Sequence, residues 1–469
     1  MLDEVEAFEF EPRMSPNDAL MWSIEKDPLL RSTIIMVMVL ESAPDRARFT
    51  RRMDKVSRNI PRLRQRVIGH PFSIAPPRWE IDPNFDLHYH MRWMRATGDG
   101  TLREVFDIAE PIAMQGFDRA RPLWEFTIVD GLADGGAALI GKVHHSITDG
   151  VGGVKLQMEM LDLEPEPLDD DDLMPAAPHP RRLTEPQRWV DAIGWEGRNG
   201  LTAMREGVQL ATDSASRLLS DPVGLVDDAL RLSGSVAKTL SLALEPMSPI
   251  MRERSLSVRY DTIDVDLARM KLASKLVSGK LNDAFLAAVA GGLARYHEAH
   301  GHRVPALRMT MPINIRTERT AALAGNQFAP ARFAVPLDID DPIGRMNAMR
   351  ELVEANRAEP ALGLTSGLAS VLNRLPATAT TALFGAMLKG IDFVTSNVPG
   401  PPVPVYVAGA RMVRQIAFGP MTGSSTNITL LSYEGELNIG ITSDPAAIPD
   451  PERFVECLTE GFDEVTKLV

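Results

Sequence analysis

The stretch from Glu164 to Pro186 limits what this chain can fold into more than any other: Glu-Pro-Glu-Pro, then four aspartates at 169–172, then further prolines. Sequence of this kind buries too little apolar surface to offset the entropy of ordering it, so it reads as a linker. It separates parts of a 469-residue chain that are each long enough to enclose a core. The division expected is an N-terminal half over 1–163, the linker over 164–186, a helical connecting region over 187–255 and a C-terminal half over 256–469.

Both halves mix helical and strand patterns, which implies an α/β (mixed α+β) fold in two domains. In the first half, Ser15-Pro16-Asn17-Asp18 starts a helix with a hydroxyl cap, Pro at the first position and an acid in the first turn. A strand follows over 33–40, then a basic amphipathic helix over 45–59 with Phe49, Met53 and Val56 on one side. Residues 79–83 and 87–93 read as strands, with His88 and His90 sharing a face. A helix over 102–115 and a strand over 124–129 come next, and Asp134-Gly135 offers a hairpin turn. In the second half, strands are expected near 257–265, 307–313, 331–339 and 391–395, with a hairpin of 427–433 and 436–442 over Glu434-Gly435. Helices are expected over 281–297, 341–358, 361–388 with a break at Pro376, and 451–468.

The most informative stretch for chemistry is Lys142-Val143-His144-His145-Ser146-Ile147-Thr148-Asp149-Gly150. The apolar run 135–141 leads in as a buried strand, and Val151, Val154, Leu156, Met158 and Leu161 lead out at helical spacing. Two histidines therefore sit where a strand gives way to a turn and a helix, on the rigid support a catalytic base requires. Histidine both takes and returns a proton near neutrality. No Gly-x-Ser-x-Gly elbow and no second cysteine point to a covalent nucleophile. Three readings stand on the residues alone: a base acting directly on a substrate hydroxyl, satisfied structural histidines, or a metal site. The last lacks His-Glu-x-x-His or paired cysteines to complete a ligand set.

Composition narrows the partners. A formal net charge of −13 argues against nucleic acid. Hydrophobic content of 44% and charged content of 24% are those of a globular protein. The single cysteine, Cys457, excludes an intramolecular disulfide, fits a reducing cytoplasm and reads as a buried helix residue. The acidic start has neither the basic head nor the apolar middle of a secretion signal. No apolar run approaches the ~18 residues of a membrane span, while contact with a lipid surface through apolar groups stays open. Residues 201–244 carry one apolar helical face, with Val226, Leu230, Val236 and Leu240. It either packs on the second half or faces lipid.

His144, His145, Asp149 and Gly150 form His-His-x-x-x-Asp-Gly, which resembles the signature of the CoA-dependent acyltransferase superfamily. More closely, the chain resembles the bacterial wax ester synthase/acyl-CoA:diacylglycerol acyltransferases. The supporting stretches follow in the family's order: Met14-Ser15-Pro16-Asn17-Asp18, Pro122-Leu123-Trp124-Glu125, Asn282-Asp283, Pro312-Ile313-Asn314-Ile315-Arg316, Gly325-Asn326 and Ser396-Asn397-Val398-Pro399-Gly400-Pro401. The resemblance implies two chloramphenicol-acetyltransferase-like domains with a central channel. It also implies that a C-terminal segment crosses to the first sheet, expected within 421–442.

The same resemblance assigns roles. His145 is the general base toward an acceptor alcohol, and His144 holds the turn or shapes the pocket. Asp149 is structural and pairs with Arg316, and Gly150 takes a backbone conformation closed to other residues. Asn282 and Asp283 either cap a helix or support the active site. Pro122, Leu123 and Trp124 are core or line the acyl pocket, and Ser396 and Asn397 build a channel wall. Arg62, Arg64 and Arg66, at alternating positions, form a solvated face or attract the phosphates of CoA. The implied activity is transfer of a long-chain acyl group from acyl-CoA to diacylglycerol or a long-chain alcohol. Acyl-CoA is then a substrate, with no metal or bound organic cofactor. A cytoplasmic protein meeting membranes or lipid droplets peripherally is expected. Two alternatives remain: a condensation-type acyltransferase using a carrier-bound thioester, and an idle lipid-binding or droplet-coating protein of the same fold.

Overall fold

A computed structural model of the chain describes residues 11–69, 75–147, 153, 156–166, 174–180, 183–198, 245–314, 328–357 and 377–469. The expectations for Asp149, Gly150, Arg316, Gly325-Asn326 and the helical face of 201–244 lie outside these residues.

The strands of the first half are β1 (Thr33–Leu40), β2 (Gln65–Ile68), β3 (Arg78–Ile81), β4 (Met91–Arg95), β5 (Trp124–Asp130) and β6 (Ala137–His144). Those of the second are β7 (Arg259–Asp266), β8 (Ala306–Asn314), β9 (Phe328–Pro336), β10 (Phe393–Pro399), β11 (Tyr406–Val407), β12 (Ala410–Phe418), β13 (Thr426–Tyr433) and β14 (Glu436–Ser443). They build one six-stranded sheet in the order β11-β12-β1-β6-β5-β4 and another in the order β7-β14-β13-β10-β8-β9. The small ribbon β2-β3 stands apart.

The segment that crosses between the halves is β12, with the short β11 beside it, not the 421–442 segment. It lies antiparallel to β1, with Met36 opposite Ala417 and Met38 opposite Gln415. The 421–442 hairpin, β13-β14, stays in the second sheet. β12 has nine residues and each strand of the hairpin eight, so strand length does not say which sheet each joins. Where β12 leaves for the first sheet, β14 passes against it at Gly440. A β-carbon there would overlap the carbonyl oxygen of Ala417. Gly440→Ala is therefore expected to destabilise the protein by about 1–3 kcal/mol through overpacking, read as a lower urea midpoint.

The second core lies between its sheet and the helices Leu281–Ala299 and Pro451–Thr466, which bring Phe285, Leu293, Phe454 and Phe462 together. Cys457 is buried there. The first core gathers Phe49, Met53 and Val56 of the helix Arg46–Asn59 against Trp124 and Leu139 of the sheet. The helix Pro16–Ile24 starts as its sequence implies, with Ser15 Oγ accepting the Asp18 N–H at 3.1 Å. Among the described residues no helix is long and apolar enough to cross a membrane.

Three local readings change. Residues 87–93 are not one strand: Leu87–His90 makes a helical turn before β4, because Asp86 Oδ1 accepts the His88 N–H at 3.0 Å. His88 is left exposed, while His90 is wholly buried and stacked on Trp124 at 4.4 Å. Arg62 and Arg64 are not a solvated face, since Pro61–Arg64 is a 3-10 turn that buries both. Arg62 lies over Trp79 at 4.1 Å, and burial pushes its pKa down to about 9 against the pull of Asp18 and Glu11. Arg64 donates to Ser57 Oγ at 3.0 Å and to Asp54 at 2.5 Å. Asn282 is not a helix N-cap: Lys280 holds that position, and Asp283 Oδ2 accepts the Lys280 N–H at 2.7 Å.

Candidate active site

β6 is a central strand buried along nearly all of its length, which is why its sequence is almost wholly small or apolar. Its ladder to β1 pairs Thr33 with His144. One further bond, from the His145 N–H to Ser32 O at 2.8 Å, extends the pairing past the end of the strand. The chain then turns, with Ile147 N–H donating to His144 O at 2.9 Å. Successive strand residues face opposite ways, so the two histidines part here.

His144 points away from the cavity between the two sheets and has no exposed surface. Its Nδ1 accepts the Ser146 N–H at 3.0 Å, which places the proton on Nε2, and Nε2 donates to Glu25 Oε1 at 2.8 Å. Trp22 and Phe117 close on the ring edge-on, at 5.5 and 5.9 Å. Glu25 Oε1 also accepts the Ser32 N–H at 2.6 Å. Burial by itself would raise the Glu25 pKa. Facing His144, the Ser32 N–H and Arg119 together outweigh that and hold it below the usual glutamate value. Both nitrogens of His144 are thus engaged inside the protein. It ties the end of β6 to Glu25.

His145 lines a cavity of about 320 Å³ between the two sheets. The first sheet supplies the floor: Ser32, Ile34, Met36 and Met38 of the β1 segment, and Gly141 and Val143 of β6. Gly141 is required by space, since a β-carbon there would stand 2.9 Å from the Phe126 ring, which also lines the cavity. The second sheet supplies the facing wall through Thr310, Pro312, Val394, Ser396, Val398 and Thr429. Leu20, Met21 and Ile24 of the first helix close one side. The lining is mainly apolar. Two of its few polar atoms, Ser32 Oγ and Thr310 Oγ1, are buried without a hydrogen-bond partner among the described residues. Among those residues no three His, Cys, Asp or Glu side chains gather as metal ligands.

The other sequence-chosen residues divide. Ser396 faces the cavity, while Asn397 is exposed on the opposite side of β10. Pro122, Leu123 and Trp124 are all buried and none lines the cavity. Trp124 is sealed by His90 and by its indole N–H bond to Leu63 O at 2.7 Å. Phe126, two residues on, reaches the space that Trp124 does not. Asn282 contacts Met311 Sδ at 3.7 Å. Met311 turns into the second core, on the far side of the strand from Thr310 and Pro312, so neither Asn282 nor Asp283 reaches the cavity. Sequence reasoning missed Glu25, Ser32 and Phe126. The alternation of β5 carried a signal for Phe126. Glu25 and Ser32 are recognisable only once β1 is paired with β6.

Two curled sheets with an exchanged strand are the layout of chloramphenicol-acetyltransferase-like two-domain proteins. The comparisons with known proteins agree. Residues 14–285 match the wax ester synthase/diacylglycerol acyltransferase catalytic domain, and residues 324–466 match the WS/DGAT C-terminal domain. A putative diacylglycerol O-acyltransferase of Mycobacterium tuberculosis is 38% identical, over 97% of this chain and 93% of the relative. A probable diacylglycerol O-acyltransferase of the same species is 25% identical over 91% and 89%. Among solved structures, the wax ester synthase/diacylglycerol acyltransferase from Marinobacter aquaeolei superposes with a TM-score of 0.61 at 19% identity, covering 97% of this chain and 98% of that one. The first condensation domain of the calcium-dependent antibiotic synthetase gives 0.61 at 13%, over 97% and 95%, a likeness of fold. The chain belongs to the wax ester synthase/diacylglycerol acyltransferase family.

Proposed function

We propose that this protein moves a long-chain acyl group from acyl-CoA to the hydroxyl of diacylglycerol or of a long-chain alcohol, forming triacylglycerol or wax ester. His145 is the general base, and no metal or bound organic cofactor takes part. The observation that carries the reading is the place of His145: at a rigid strand end, on the wall of a mainly apolar cavity between the sheets.

In this mechanism the acceptor hydroxyl gives its proton to the His145 ring as its oxygen attacks the thioester carbonyl carbon. A tetrahedral intermediate forms. It collapses with cleavage of the carbon–sulfur bond, and the proton passes from His145 to the departing CoA sulfur. The apolar walls keep water from competing with the alcohol. The acceptors reside in bilayers and droplets, so the protein meets such surfaces peripherally.

Purified protein given palmitoyl-CoA and either hexadecanol or dioleoylglycerol is expected to release CoA thiol only when an acceptor is present. Retention of bound lipid with no acceptor-dependent thiol would overturn the proposal in favour of a lipid-binding role.

A further inference from the structure

The cavity floor continues well beyond the reacting end. The β1–β6 register sets Ser32 opposite His145, and Ile34, Met36 and Met38 follow on the same face, all lining the cavity. From Ser32 to Met38 an antiparallel strand advances about 20 Å, a reach suited to a long extended hydrocarbon chain. Ile34, Met36 and Met38 make this an apolar track.

The track ends on two amides. Gln157 lines the cavity, and Gln415 stands opposite Met38 on the exchanged strand β12. They are 6% and 0% exposed. Gln415 Nε2 donates to Gln157 Oε1 at 2.7 Å and touches Met36 Sδ at 3.2 Å. Gln157 Nε2 reaches the sulfur of Met38 at 3.9 Å, a weak contact. Gln415 Oε1 has no partner among the described residues. Buried polar groups are ordinarily paired, so an amide pair left partly unsatisfied at the end of an apolar track calls for an explanation.

We propose that Gln157 and Gln415 form the chain-length stop of this cavity. The inference rests on the acyl transfer proposed above. The straight tail of a substrate whose reacting end is at His145 lies along β1, and its methyl end meets Gln157, which Gln415 holds in place from behind. A methylene pressed against the Gln157 amide displaces any water that could satisfy it and offers no hydrogen bond in return. That loss exceeds the gain from burying one methylene. Tails that fill the track are therefore favoured, and longer ones are penalised. The acyl chain and the chain of a fatty alcohol share this chemistry, and the two arms of the test separate them.

The experiment compares the full-length protein with Gln415→Met and Gln157→Met, which keep side-chain length and remove the amide. One arm varies saturated acyl-CoA from lauroyl to behenoyl with hexadecanol fixed. The other varies the saturated alcohol with palmitoyl-CoA fixed. In one arm the wild type is expected to lose tenfold or more in kcat/KM past its optimum, and either variant to recover most of that loss. The long-to-short ratio is the readout, because a merely structural defect slows all chains alike. Unchanged length profiles in both arms would overturn the stop. Binding of the matching fatty acids, followed by calorimetry, needs no turnover. Length-limited binding that Gln415→Met relaxes, in a protein without transferase activity, would sink the proposed reaction and uphold the stop.

Discussion

His145→Ala is expected to slow acyl transfer by roughly 10²–10⁴-fold, the usual contribution of a positioned general base. The fold should survive. The residue is held in place by its backbone N–H bond to Ser32 O, which the substitution leaves intact. The ring borders a cavity, so its removal enlarges existing space and opens no new void in a packed core. Two measurements decide the matter together: acceptor-dependent thiol release, and the urea midpoint. Near wild-type turnover in a folded variant would remove His145 from the mechanism. Equal loss of turnover and stability would make it structural.

Glu25→Ala should act through stability. The carboxylate accepts both the Nε2–H of buried His144 and the N–H of Ser32, and truncation leaves two buried donors without their acceptor. Arg119, which lies over Trp22 at 4.2 Å, loses a nearby opposite charge as well. Each stranded donor costs about 1–3 kcal/mol, so a loss of about 2–6 kcal/mol is expected. Activity should fall with it, since Ser32 is the strand partner of His145. Glu25→Gln keeps an acceptor oxygen and should lose much less. The Glu25 pKa is lowered in the folded protein. Its contribution is therefore present above the ordinary glutamate pKa and disappears as pH falls through the lowered value. Urea midpoints taken across the acid range should converge for wild type and Glu25→Gln at the low end. Parallel curves at every pH would show that the charge on Glu25 contributes nothing.

The two kinds of histidine illustrate what local sequence can and cannot say. Adjacent residues at a strand end must face opposite ways, so one histidine of the pair was bound to point inward and the other outward. Which one meets the cavity depends on where the second sheet lies. Likewise, Trp124 and Phe126 share one face of β5. Only the covering of His90, folded into a turn by Asp86, decides that Phe126 reaches the cavity and Trp124 does not. Asn282 and Asp283 show the same limit from the other side. Their place at the start of a helix was legible, but Met311 stands between Asn282 and the cavity.

The sequence by itself determined the mixed α/β character of both halves, the strand that carries the histidines, the hairpin over Glu434-Gly435 and most of the helices. Each of these follows from periodicity and turn chemistry within a short window. Only the tertiary structure decided that β12 joins the first sheet, that Arg62 and Arg64 are buried, and that Glu25 and Ser32 stand beside the histidine pair. Those outcomes rest on contacts between residues far apart in the chain. The choice of partner there is made by the packing of whole sheets, which no local window contains.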